Sequence, residues 1–165
     1  MTRARWKHKG RSDSGGFFGI PHAVLRSPNW RALPPRAVKL VCDLGGQYRG
    51  ANNGDLSAAW RIMRPLGWNS RATLADAIAD ALRFGMIEKT RQGGLHVCSL
   101  YALTWKPIDE CGGKLDVPAT RVPSGSWQQP PPYEQKNAST ESVSLKHGIR
   151  VNRARPHDRK HGIRV

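Results

Sequence analysis

Two short helical stretches flank a glycine-containing connection. An apolar-striped helix precedes them and two strand-forming runs follow. These observations predict an α+β fold of three helices and a β-hairpin, with flexible basic arms at both ends. The helical pair is "DLSAAWRIMRPLGW" and "NSRATLADAIADALRF", the leading helix is "PRAVKLVCDLGGQY", and the strand-forming runs are "MIEKTRQ" and "LHVCSLYALTW".

Residues 1–16, "MTRARWKHKGRSDSGG", combine charge with Ser and Gly and are expected to be a flexible arm. The body spans residues 17–106. "FFGIPHAVL" mixes aromatic and branched residues, suggesting a short strand or extended piece that Pro21 ends, and "SPNWRALPP" reads as turns. From Pro35 to Tyr48, Ala37, Val38, Leu40, Val41 and Leu44 recur at helical spacing, while Arg36, Lys39 and Asp43 fall largely on the other side. After the turn "RGANNGD", Asp55 or Ser57 is expected to cap a second helix. Leu56, Ala59, Trp60 and Met63 lie on one side of it, and Pro65 closes it. Asn69 or Ser70 caps the third helix, which runs to Phe84 with Leu74, Ala77, Ile78, Ala81 and Leu82 as its buried stripe. Gly85 stands where a left-handed residue ends a helix. "MIEKTRQ" then reads as a strand, "GG" as a tight turn, and "LHVCSLYALTW" as a second strand alternating through Leu95, Val97, Leu100 or Tyr101, and Leu103. Helix, helix, recognition helix, strand, wing turn and strand describe a winged helix-turn-helix. Residues 107–133 are rich in Pro and Gly and are expected to wrap the domain as an extended strap anchored by Ile108, Leu115, Val117, Val122 and Trp127. Residues 134–165 are polar and basic, a tail expected to be disordered alone. "KHGIRV" occurs there twice, at 146–151 and 160–165, as a pair of phosphate anchors or as a duplication without function.

Twenty-seven Lys and Arg against 12 Asp and Glu leave a formal charge of +15 on 165 residues. Such an excess calls for an anionic partner, nucleic acid before an anionic membrane surface. The first 16 residues hold five basic residues and one acid, and residues 134–165 hold eight and three, so more than half of the excess sits on the arms. Cys42, Cys98 and Cys111 are odd in number and widely spaced, arguing against a zinc site or a disulfide framework and for reduced thiols in a cytoplasmic protein. His96 and Cys98 would share a strand face, as a metal pair or as a packed thiol beside a surface imidazole. No metal or cofactor is expected. The basic start lacks the apolar stretch of a secretory signal, and no segment approaches the roughly 18 apolar residues of a membrane span, so no membrane association is expected. GxxxxGK, HExxH and GxSxG are absent, and Asp109 and Glu110 are neighbours in a loop, so no enzyme is expected.

The stretch from "LPPRAVKLV" to "EKTRQGG" resembles the winged helix-turn-helix proteins of phages, plasmids and integrative elements, including the DNA-binding parts of replication initiators and replisome organisers. The likeness rests on a helix opening after "LPP", an "NNG" turn before the second helix, and "WNSRATL…LRFGMI" leading into the wing, and it covers about residues 17–106. It implies a recognition helix whose N-terminal residues meet base edges. One departure stands out: that helix carries Asp76 and Asp80 on its polar side, where phosphates repel acids, unless Asp80 pairs with Arg83.

In such a fold Asn69 can contact adenine and Arg71 guanine with two hydrogen bonds each, while Ser70 and Thr73 reach phosphate or base. The competing reading makes Asn69-Ser70 a helix cap and Arg71 a solvated first-turn residue. Lys89, Arg91 and Gln92 flank the wing turn and would touch the backbone or a minor groove. Arg61 and Arg64 could hold the second helix over phosphates. Solvation alone accounts equally well for both sets. Arg3, Arg5, Lys7, Lys9 and Arg11 in one arm, with Lys146, Arg150, Arg153, Arg155, Arg159, Lys160 and Arg164 in the other, supply non-specific contacts by counterion release. Trp30, Trp60, Trp68 and Trp105 are read as core.

The function expected is duplex-DNA binding by a mobile-element protein, in replication initiation or transcriptional regulation. The alternative is an adaptor or inhibitor docking on a host protein or ribonucleoprotein through the winged-helix surface and arms, and a third reading is RNA binding through the arms. The sequence leaves oligomeric state open.

Overall fold

The computed structural model of the protein describes residues 17–131. The expected arms at 1–16 and 134–165, all twelve of their basic candidates and both KHGIRV copies lie outside the described residues. Within them the chain is α+β, with five helices and a three-stranded antiparallel sheet in the order β1-β3-β2.

The expectation of three helices fails at the start. Residues read as a strand and turns form two one-turn helices, α1 (His22–Arg26) and α2 (Pro28–Ala32). Pro21 does not end a strand; it precedes a helix in extended geometry (φ −59°, ψ 142°), and Pro28 opens α2 at its first position. Between them Ser27 closes one helix and caps the next, its hydroxyl donating to the Val24 carbonyl and accepting from the Trp30 N–H. Val24, Ser27, Asn29 and Leu33 are buried. Turn-forming residues here are helix caps.

α3 (Pro35–Gly45) follows the expected stripe but ends before Tyr48. Ala37, Leu40, Val41 and Leu44 are fully buried and Val38 packs against them in part. α3 lies against α5 (Arg71–Arg83), whose Leu74, Ala77 and Ala81 are buried while Ile78 and Leu82 are partly covered. Burying each leucine of this core stabilises the fold by roughly 2 kcal/mol.

Leu56–Ser57 is not a helix start but a two-residue strand, β1, paired with Leu100–Tyr101. Asp55 therefore caps nothing and pairs instead with Lys114, and Ser57 lies in the sheet. The second helix contracts to α4 (Trp60–Met63), which has no side-chain cap and runs into a 3₁₀ turn, Arg64–Leu66, containing Pro65.

The hairpin is β2 (Ile87–Arg91) with β3 (Leu100–Leu103). Its connection is an eight-residue loop, 92–99, and not a tight Gly-Gly turn; Leu95 and Val97 are exposed at its end and are not buried strand residues. β3 is the middle strand and all four of its residues are buried, so the alternation expected of a half-exposed strand is absent. Gly85 does end α5 in the left-handed region (φ 66°), and a Cβ there would stand 2.5 Å from the Ser126 carbonyl oxygen. Gly85→Ala is expected to cost about 2 kcal/mol or more, read as a lowered midpoint in urea unfolding.

The described part of the strap belongs to the same compact unit as the body. Its backbone bonds run to Asn53, Thr90 and Thr104. Buried Asn29 holds its far end, donating to the carbonyls of Trp127 and Gln129. Ile108 is buried, Leu115 and Val117 are half-buried and Trp127 packs on the core. Val122 is 72% exposed and anchors nothing. Trp68 and Trp105 are core residues, and Trp30 and Trp60 flank it. Among the described residues no helix is long and apolar enough to cross a membrane.

Candidate nucleic-acid interface

The N terminus of α5 is presented by a reversal of the chain. Gly67 adopts the left-handed conformation (φ 87°, ψ 20°) that ends the 3₁₀ turn, and Trp68 drops into the core next to it. The Trp68 indole N–H donates to the Asp43 carboxylate at 2.7 Å, fixing this corner to α3. Ser70, not Asn69, is the cap: its hydroxyl accepts from the Thr73 N–H at 3.3 Å. Asn69, Ser70, Arg71 and Thr73 are all exposed. The first-turn N–H groups of Arg71 and Ala72 lie ahead of the helical ladder and have no intrahelical acceptor. Asn69 thus keeps its amide for a ligand, whereas Ser70 has committed its oxygen to the helix.

Arg71 is exposed yet held. Its guanidinium lies 5.3 Å from the centre of the Trp60 ring, a cation–π contact that restricts the long side chain before any partner arrives. Next to Trp60, Arg61 lines a cleft of about 680 Å³ together with Ser57, Arg91, Cys98 and Lys114. α4 thus touches the front of α5 through Trp60 and borders, through Arg61, the cleft at the root of the 92–99 loop. Arg64, in the following turn, is exposed. On the opposite side, Arg36 and Lys39 of α3 border a smaller cleft of about 260 Å³ with Gly67, Trp68, Asn69, Ser70 and Thr73.

The two acids of α5 differ in fate. Asp80 is only 7% exposed and takes Arg36 at 2.8 Å and Arg83 at 3.1 Å, so it ties α5 to α3 and its charge is matched twice. The expected pairing with Arg83 is present, and the larger tie is to Arg36. Asp76 remains exposed, with Arg36 at 3.7 Å. Arg36 and Lys39 are thus internally compensated, Lys39 by Asp43 at 2.7 Å. Arg61, Arg64, Arg71 and Lys89 form no salt bridge among the described residues.

The three residues expected at the wing divide. Lys89 is exposed and donates to the Gln92 side-chain oxygen at 2.9 Å. Arg91 turns inward on the loop, donating to the Cys98 carbonyl at 3.0 and 3.1 Å and to that of Lys114 at 3.4 Å. The Gln92 N–H donates to Asp116 of the strap at 2.7 Å. Arg91 and Gln92 therefore build the loop, and Lys89 alone of the three offers an ammonium outward. His96 and Cys98 sit in this loop, not on a strand face, and no cluster of three metal-binding side chains occurs among the described residues. Cys42, Cys98 and Cys111 are free thiols. Burial pushes the Cys42 and Cys111 thiols up, with Asp43 adding to the first and Asp55 to the second.

Sequence reading missed the side walls of this surface. Arg36 and Lys39 were placed only on the polar side of a helix, and Lys114 lay in a loop; nothing in their spacing showed that they would meet Asn69 or Arg91. Comparison with family models, curated proteins and solved structures finds no match for the chain.

Proposed function

We propose that the chain is a winged helix-turn-helix protein that binds duplex DNA through the N terminus of α5, with residues 92–99 as the wing. The element order α3-β1-α4-α5-β2-β3 and the strand order β1-β3-β2 support this reading. The observation that carries it is the charge distribution around α5. Asn69 and Arg71 are exposed at the front of α5, and Arg61, Arg64 and Lys89 are exposed without a salt bridge among the described residues. Of the two acids on this helix, Asp80 is buried under two guanidinium groups and Asp76 has Arg36 at 3.7 Å. The place in replication initiation or transcriptional regulation of a mobile element rests on the sequence resemblance alone.

The test is binding of the full chain to labelled duplex DNA in the presence of unlabelled RNA and single-stranded DNA. Duplex is expected to win, and preference for single-stranded RNA refutes the proposal. With half a dozen phosphate contacts from arms and body, affinity is expected to fall by about a thousandfold between 50 and 200 mM salt, with a linear log–log plot.

The protein-docking reading has one observation in its favour. Ile62 and Leu66, on α4 and the turn after it, are exposed at 42% and 44%, an apolar pair close to the same surface. A host protein that stays bound after nuclease treatment and is released by Ile62→Ser with Leu66→Ser supports that alternative.

A further inference from the structure

The 92–99 loop ends in a feature that phosphate contacts do not use. The Gly94 N–H donates to the Val97 carbonyl at 2.8 Å, which leaves Leu95 and His96 as a two-residue tip. Leu95 is 93% exposed and Val97 48% exposed, so the apolar side chain stands in water with a second one behind it. Gly94 faces open space: a Cβ there would meet nothing within 4 Å. Below it the loop is fastened at four points. The Gly93 N–H donates to the Ser99 hydroxyl, the Gln92 N–H to Asp116, and Arg91 to the carbonyls of Cys98 and Lys114. These bonds tie the base of the loop to the strap and to the residues leading into β3, and the tip that carries Leu95 projects beyond them.

We propose that Leu95 is an apolar wedge that enters the DNA minor groove and opens a base step, bending the duplex. The inference rests on the duplex-binding reading above. Charge chooses the occupant. Lys89 on β2 is exposed and forms no salt bridge among the described residues, and Arg61, equally without one, lines the cleft at the root of the loop with Arg91. Lys114 there is paired with Asp55, so the net charge below the apolar point is positive, the arrangement a polyanion with a hydrophobic interior accepts. A minor groove about 6 Å wide admits a two-residue tip but not a helix. Inserted leucines unstack steps and kink DNA toward the major groove. His96, next to the wedge and exposed, can bond the acceptors that line the groove floor at A·T pairs.

The experiment uses the full chain and a 30-base-pair A·T-rich duplex carrying a fluorescence donor and acceptor at its ends. The parent is expected to bind and to shorten the end-to-end distance. Leu95→Ala is expected to bind about tenfold more weakly and, at saturation, to leave the duplex straight. Leu95→Phe is expected to keep the bend. Leu95→Lys separates wedge from charge, since a tip acting through phosphates gains affinity with lysine whereas a wedge loses the bend. Arg71→Ala is expected to weaken binding while retaining the bend at saturation. Equal affinity and equal bend for the parent and Leu95→Ala overturn the wedge and leave duplex binding standing. A parent that does not bind the duplex at low salt overturns both. Binding to phosphatidylserine vesicles that Leu95→Ala abolishes, with duplex affinity unchanged, assigns the tip to lipid and overturns the wedge.

Discussion

Arg71→Ala is expected to lower the affinity of the full chain for its duplex by about tenfold or more, with the discrimination lost at one base position. A fork of two hydrogen bonds to guanine is worth roughly 1–3 kcal/mol, and here the side chain is already restrained on the Trp60 ring, so less entropy opposes the contact. Arg71→Lys keeps the charge and loses the planar fork. It should fall between parent and alanine in affinity while resembling alanine in specificity. Asn69→Ala is expected to act in the same direction at an adenine, because its amide has no hydrogen bond to sacrifice among the described residues. Arg61→Ala and Lys89→Ala should instead weaken all sequences alike and each reduce the salt slope by about one. Fluorescence anisotropy against a selected site and a scrambled one separates the two patterns. If Arg71→Ala and Asn69→Ala bind both duplexes as the parent does, the front of α5 is not the reading edge. Ser70→Ala calibrates the series, since it removes a helix cap worth about 1 kcal/mol and should lower stability more than affinity.

The largest expected loss of stability lies away from that surface, at Asn53. This side chain is fully buried and its amide donates to the carbonyls of Leu103, Lys106 and Pro107, while its oxygen accepts from the Leu103 N–H. Its own backbone exchanges bonds with Asp109. One asparagine thereby joins the turn before β1, the end of β3 and the start of the strap. Asn53→Ala strands several buried backbone groups at once and is expected to cost about 3 kcal/mol or more, with a melting temperature lower by roughly 10 °C. Asn53→Asp is expected to be no better, since a carboxylate cannot donate to three carbonyls. Denaturant unfolding of both variants, with Asn69→Ala as an exposed control, measures the difference. Melting of Asn53→Ala within about 2 °C of the parent would show that the buried network is dispensable.

The parts legible beforehand are those where one helix face meets one core. The stripes of α3 and α5 repeat over several turns, and Gly85 announces the end of α5 because only a residue without a side chain fits under Ser126. The parts misread are too short for a period to register. α1 and α2 are five residues each, and their Pro, Ser and Asn residues serve equally as turn formers or as helix starts; burial of Val24 and Leu33 selects the helices. β1 is two residues long and exists only because β3 lies beside it. By alternation Leu95 and Val97 read as residues of the second strand. The hydrogen bonds of Arg91 and Gln92 stop the ladder at Arg91 and leave both outside the sheet.

The candidate site divides along the same line. The composition states a strongly basic chain, and the run from Trp68 to Thr73 states a capped helix start, since charge and local hydrogen bonding depend on near neighbours alone. Which acid is paired, which arginine is restrained and which loop residue is consumed by its own hydrogen bonds depend on contacts across the fold: Arg36 with Asp80 over 44 positions, Arg91 with Lys114 over 23, and Trp60 under Arg71. Residues so far apart meet only after the core has closed, and the side chains that surface then leaves outward could be known only from the assembled whole.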